Sequence, residues 1–166
     1  MPMPGIRGAR CRSNGQPVLV VLCGPSHSGK STFARRLCKG LTVVSSDRIR
    51  KARRATYGCP RQERMVWEAF ESEKRKALRE GRNVVLDACH MSRKARRHAL
   101  QGPNARHRKV CVVFDVPLDK VCHRCRQARR VPLAEVERMW KAFQGCKPTA
   151  QELRREGFDE AYLCVG

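Results

Sequence analysis

Six apolar residues run without a break from Val18 to Cys23. A strand with one solvated face would alternate apolar and polar positions. An unbroken run of this kind reads as a strand covered on both faces, as in a parallel sheet. The expected strand spans Pro17–Cys23, and similar short runs follow at Leu41–Ser45, Asn83–Asp87, Arg108–Asp115 and Ala161–Val165. Helical stretches separate them: Thr32–Lys39, Arg61–Glu80, Ser92 to about Gln101, Leu118 to about Arg129, and another opening at Val131-Pro132. Ser92 suits a helix cap, Pro132 suits a first helical turn, and Gly81 and Gly102-Pro103 act as stops. Tyr57-Gly58-Cys59-Pro60 marks a turn before the long helix. Within that helix Met65, Val66, Trp67, Phe70, Ala77 and Leu78 are expected to supply apolar contacts, with Trp67 and Phe70 packing in the core. Strands alternating with helices predict an α/β fold, a three-layer sandwich around a mostly parallel five-stranded sheet. Residues 1–16 lack this periodicity and read as a flexible basic tail, leaving 17–166 as one domain.

Composition adds a partner class to this picture. The chain has 166 residues, 41% of them hydrophobic, enough for one real core and too many for a disordered polycation. Lys and Arg number 36 against 15 Asp and Glu, a formal charge of +21. Such an excess favours polyanions, because phosphate backbones release counterions to a basic surface. The charge is uneven: no acid precedes Asp47, and none lies between residues 88 and 114, which carry Arg93, Lys94, Arg96, Arg97, Arg106, Arg108 and Lys109. That asymmetry predicts a basic face. Ten cysteines occur without a secretory signal, several inside apolar runs (Cys23, Cys111, Cys164), so they are expected to be reduced and the protein intracellular, in the cytoplasm. Cys122 and Cys125 have a zinc-like spacing without a second half-site, in a stretch that reads as helix. No apolar run approaches a membrane span.

Between the first strand and the first helix stands Gly24-Pro25-Ser26-His27-Ser28-Gly29-Lys30-Ser31, with the spacing G-x-x-x-x-G-K-S. A loop of this kind turns successive backbone N–H groups onto phosphate oxygens, and the helix behind it adds its positive end. Lys30 would reach the β- and γ-phosphates, and the Ser31 hydroxyl would ligate Mg²⁺. The strand before and the helix after supply the context the motif requires.

Which reaction follows depends on the other strand ends, where open α/β sheets bind ligands. Asp47 ends the second strand and Arg50 follows three residues on, one helical turn away on the same face. The pair could take the proton of an acceptor hydroxyl and hold an acceptor phosphate bidentately, or Asp47 could simply complement a helix dipole. Asp87 ends the third strand, a position suited to metal or substrate. Asp115 ends the fourth, and the following Val116-Pro117 favours turn capping there. Arg124, Arg126, Arg129 and Arg130 fall within seven residues without an acid, and could form a basic helical lid over a γ-phosphate.

Taken in order, these motifs resemble the polynucleotide-kinase-like branch of the P-loop kinases, which includes phage-type 5′-hydroxyl polynucleotide kinases. The resemblance rests on Gly24 to Thr32, Asp47 with Arg50, Val84 to Arg93, Val113 to Leu118, the arginine cluster, Val131-Pro132 leading to Trp140, and Glu156 to Glu160. It implies a P-loop kinase with a helical lid, using ATP and Mg²⁺. Residues Gly24, Pro25, Ser26, His27, Ser28, Gly29, Lys30, Ser31 and Thr32 would hold the nucleotide. Asp47 would be the general base, Arg50 would contact an acceptor phosphate, and Asp87 and His90 would help build the acceptor site. Arg126 or Arg129 would stabilise the transferring phosphoryl. Where the family commonly has Asp-Ala-Thr-Asn, this chain has Asp87-Ala88-Cys89-His90, and His90 can donate one hydrogen bond in place of the amide.

The function this implies is ATP-dependent transfer of a phosphoryl group to the 5′-hydroxyl of DNA or RNA. Two other readings stay open: a kinase of the same fold acting on a sugar, nucleoside or antibiotic, and a nucleotide-dependent nucleic-acid-binding protein with little catalysis. A pure binding module has no need of Asp47 beside the phosphate loop.

Overall fold

The fold was obtained as a computed structural model that describes residues 15–37, 39–128 and 131–166. The basic stretch 1–14 and the predicted lid residues Arg129 and Arg130 lie outside the described residues. Along the chain stand β1 (Val18–Cys23), α1 (Lys30–Leu37), β2 (Thr42–Ser45), α2 (Ser46–Ala52), α3 (Pro60–Arg79) and β3 (Val84–Asp87). They continue with α4 (Arg93–Ala99), β4 (Arg108–Asp115), α5 (Leu118–Ala128), α6 (Leu133–Cys146), α7 (Ala150–Glu156) and β5 (Glu160–Val165). The five strands form one sheet in the order β2-β3-β1-β4-β5. Every pairing is parallel, with Val20 opposite Val85 on one side and Val110 on the other.

The unbroken apolar run of β1 has a direct cause. Val18, Val20 and Leu22 pack with Phe33 and Ala34 of α1, Val121 and Cys125 of α5, and Val136 of α6. Leu19, Val21 and Cys23 pack on the opposite face with Val66 and Phe70 of α3, Ala99 of α4 and Leu153 of α7. Both sets of alternating side chains are therefore removed from water, and no polar position is left to betray a solvent face.

The structure departs from the sequence reading at three places. Met65 and Trp67 of α3 are 46% and 44% exposed, not core. The buried stripe of that helix is Val66, Phe70, Lys74, Ala77 and Leu78, and residues 65 and 67 sit to either side of it. Lys74 fits in the stripe because its ammonium lies 2.8 Å from the Glu71 carboxylate and 3.2 Å from the His98 carbonyl. Burial pulls its pKa down nonetheless. The seven-residue helix α2 is an addition to the predicted elements, and so is the seven-residue α7. Thr149 and Glu152 form its capping box and Gly157, at φ 110°, ends it in the left-handed conformation. Finally, Asp115 caps no turn. Its carboxylate accepts from Lys147 Nζ at 2.6 Å and Gln144 Nε2 at 3.2 Å, and the Lys147 hydrogen bond holds its pKa below the usual range. The eight described cysteines are free thiols. Among the described residues no helix is long and apolar enough to cross a membrane.

Candidate active site

The phosphate loop, Asp47 with Arg50, and Asp87 with His90 follow the carboxyl ends of β1, β2 and β3. The loop from Gly24 to Gly29 leaves β1 and enters α1 at Lys30. Gly24 is there because nothing larger fits: a Cβ would stand 3.0 Å from Phe114 Cβ and 3.1 Å from the Ser28 hydroxyl. Its N–H donates to the Cys89 carbonyl at 2.9 Å, tying the loop to the segment after β3. Gly29 and His27 adopt left-handed φ values of 100° and 62°. Glycine pays no steric cost there, whereas His27 is strained and held by its surroundings. Lys30 is buried, its Nζ 2.5 Å from the Pro25 carbonyl and 3.4 Å from the Ser28 hydroxyl, so the ammonium fills the loop's own hollow. Ser26 is half-buried and Thr32 exposed, on the first turn of α1.

Asp87, at the end of β3, is 5% exposed and lies against this loop. Its Oδ2 accepts from the Ser31 hydroxyl at 2.8 Å and the Ser45 hydroxyl at 3.1 Å. Burial pushes its pKa up, against the opposing pull of the two hydroxyls and the Lys30 charge. A hydroxyl and a carboxylate side by side at the foot of a phosphate loop are hard oxygen donors. This donor set fits Mg²⁺, which takes one or two protein oxygens and fills its shell with water and phosphate. Asp87 therefore sits with the predicted metal ligand Ser31.

Ser45 ends β2 and caps α2, accepting from the Arg48 N–H at 3.4 Å, so the helix starts without an intervening loop. This places Asp47 in the first turn, with its side chain 65% exposed. Arg50 is only 13% exposed and makes three bonds: one to Asp47 Oδ1 at 2.5 Å and a bidentate pair to Glu63 of α3, at 2.7 and 2.9 Å. The Tyr57 ring stands 5.4 Å from its guanidinium carbon. The Glu63 hydrogen bond raises the Arg50 pKa further, keeping the fork charged. The sequence placed Asp47 and Arg50 together; Glu63, thirteen residues beyond Arg50, carried no signal of its partnership.

His90 is buried, at φ 40°, with Nδ1 bonded to the Leu22 carbonyl at 2.9 Å. A carbonyl can only accept, so Nδ1 carries the proton. Burial lowers the ring pKa to about 4, leaving it neutral at pH 7. His90 is thus bonded inward, to the carbonyl of a β1 residue. Of the arginine cluster, Arg124 rather than Arg126 meets the loop: its Nη1 donates to the His27 carbonyl at 3.4 Å and lies 3.4 Å from where a Gly29 Cβ would be. Arg126 is exposed and makes no ion pair among the described residues. Two residues apart on a helix is a rotation of about 200°, so only one of them can face the loop.

A family model described as AAA domain matches residues 19–146. No curated protein matches the chain. Among solved structures, the chain is similar to one in the Pnkp1/Rnl/Hen1 RNA repair complex, with TM-score 0.69 and 24% identity over 84% of this chain and 48% of that one. It is also similar to a sugar kinase from Janibacter sp. HTCC2649, with TM-score 0.60 and 16% identity over 90% and 85%. Shikimate kinase from Acinetobacter baumannii gives TM-score 0.51 and 21% identity over 87% and 82%. The chain spans about half the length of the repair-complex chain. These likenesses give the fold, an α/β P-loop kinase fold with an all-parallel sheet.

Proposed function

We propose that this chain, which belongs to the AAA domain family and has the P-loop kinase fold, moves the γ-phosphate of ATP to a hydroxyl, that of a DNA or RNA 5′ end. The observation that carries the reading is the contact of Asp87 with Ser31, 2.8 Å, at the end of the phosphate loop, with the Asp47 charge near enough to act on Asp87. A binding module has no use for a carboxylate beyond the phosphate site.

The chemistry assigns each side chain a task. Lys30 exchanges the Pro25 carbonyl for phosphate oxygens. Ser31 and Asp87 would hold Mg²⁺, which neutralises charge on the phosphate oxygens when bound. Asp47 accepts the acceptor's proton as the hydroxyl oxygen bonds to the γ-phosphorus and the bond to the β-phosphate oxygen breaks, releasing ADP. Arg50 fixes the Asp47 carboxylate by the bond at 2.5 Å. Arg124, seated against the loop, offsets charge on the transferring group. The acceptor class is supported by the charge of +21 and by the family resemblance of the motifs.

One observation favours a second acceptor. The Arg50 fork is already filled by Glu63, so an acceptor phosphate at that place must displace a carboxylate. A small hydroxyl acceptor without a phosphate avoids that exchange. The test is transfer of labelled γ-phosphate, with Mg²⁺, to 5′-hydroxyl DNA and RNA oligonucleotides, beside Lys30→Ala and Asp47→Ala. Label on an oligonucleotide that both variants fail to produce supports the polynucleotide reading. Bound ATP without labelled oligonucleotide overturns it in favour of the small acceptor.

A further inference from the structure

Beside the site, between α4, the end of α6 and α7, lies a cavity of about 470 Å³. That size falls within the range of ligand-binding pockets. Its lining includes Arg93, Arg96, Lys147 and Arg155 with Glu152 and Glu156. Pairing removes half of these charges. Arg96 and Glu156, both 3% exposed, form a bidentate floor at 2.7 and 2.8 Å. Lys147 is held by Asp115 at 2.6 Å, and Glu152 is engaged in the capping box of α7. Arg93 and Arg155 are left: both exposed, on different helices, with no ion pair among the described residues. Glu152 keeps its carboxylate charge in the capping box and attracts Arg155, so the two guanidinium groups outside any ion pair exceed it by one and leave net positive charge for an outside anion.

The place of the cavity says which anion. Arg96 Nη1 donates to the Met91 carbonyl at 2.6 Å and stands 4.0 Å from Cys23 Sγ. Cys23 immediately precedes the phosphate loop, and Met91 follows Asp87 by four residues. The cavity therefore adjoins the acceptor side of the site, behind the turn from β3 into α4. Its basic lining does not close around one ion. Exposed Lys94 and Arg97 of α4 continue it, within the stretch 88–114 that has no acid. A surface that goes on beyond its cavity suits a chain of phosphates better than a single one.

We propose that Arg93 and Arg155 bind a phosphodiester of a single-stranded acceptor, downstream of the reacting 5′-hydroxyl. The proposal rests on the polynucleotide reading above. Its experiment has two arms. In the first, a fluorescent single-stranded octanucleotide is titrated into the full-length protein and into R93Q/R155Q over a range of salt. Wild type should bind with a steeper salt dependence, and the double variant should lose about 0.7 from the slope of log K against log salt, the equivalent of one phosphate contact. R93K/R155K, which keeps the charge, should restore most of the slope and rules out a folding defect. In the second arm, the ratio of kcat/KM for the octanucleotide over a nucleoside 3′-monophosphate should fall roughly tenfold in R93Q/R155Q. An unchanged slope overturns the cavity as a phosphate site, whatever the kinase arm gives. Transfer by wild type with an unchanged ratio overturns it while the acceptor reading stands. Binding through these arginines with no transfer to any oligonucleotide by wild type leaves the phosphate site in place and sinks the acceptor reading instead.

Discussion

Lowering the pH from 7 to 5 should cost this fold about 2 kcal/mol through His90 alone, the linkage value for a histidine moved from 6.5 to about 4. Burial disfavours the charged ring, and the Lys30 and Lys74 charges oppose it further, while the bond to the Leu22 carbonyl works the other way. Between these two pKa values the unfolded chain binds the extra proton and the folded chain does not. The stability that neutral His90 contributes is thus complete above pH 6.5 and is lost as the pH falls toward 4, where the loss levels off. The ring is tied to the backbone at Leu22 and at Ala88, and an amide can keep the bond to the Leu22 carbonyl without titrating. The assay is urea unfolding of wild type and His90→Asn from pH 7 to pH 5, comparing the two pH dependences. The other histidines and the carboxylates titrate alike in both proteins, so the difference belongs to His90. Equal pH dependence in the two would refute the assignment of a neutral, buried ring bonded to the strand that leads into the phosphate loop.

Arg124→Ala should lower turnover on a 5′-hydroxyl acceptor by roughly tenfold to a hundredfold, the range for loss of a positioned cation, whereas Arg126→Ala should change it less than about threefold; steady-state kinetics of both separate the two. Asp87→Asn should raise the apo protein's stability, because burial disfavours the ionised carboxylate while the amide carries no charge and its oxygen still accepts from Ser31 and Ser45. The same variant should lose about a hundredfold or more of Mg²⁺-dependent transfer, so calorimetry and a labelled-phosphate assay should move in opposite directions. Glu63→Gln removes the charge that holds the Arg50 fork. If Arg50 serves mainly to orient Asp47, kcat should fall about tenfold with KM for ATP unchanged in single-turnover and steady-state measurements. A fall in KM for a phosphate-bearing acceptor instead would mean that Glu63 had been competing for the fork.

The sheet was legible in the chain because its cause is local. β1 has no polar position, and β3 and β4 carry theirs only at their ends (Asp87; Arg108, Lys109 and Asp115), and apolar runs of this kind form strands where both faces are covered. The phosphate loop was legible for the same kind of reason: Gly24, Gly29, Lys30 and Ser31 act through backbone geometry and spacing that lie within eight residues. The short helix α7 also had its signal, Thr149 with Glu152 three residues on, the pattern of a capping box.

The sequence by itself thus determined the class of fold, the phosphate loop and the pairing of Asp47 with Arg50, since each depends on neighbours in the chain. Tertiary structure alone decided the rest. Asp87 meets Ser31 across fifty-six residues and Arg50 meets Glu63 across thirteen, contacts set by strand order and by the packing of α2 on α3. That Arg124 and not Arg126 faces the loop followed from the rotation of α5 about its buried side, and whether Trp67 lay in the core followed from the helical phase of α3. His90, the residue that departs from the family pattern, turned inward because a buried carbonyl of β1 needed a donor and no local rule names which side chain supplies it.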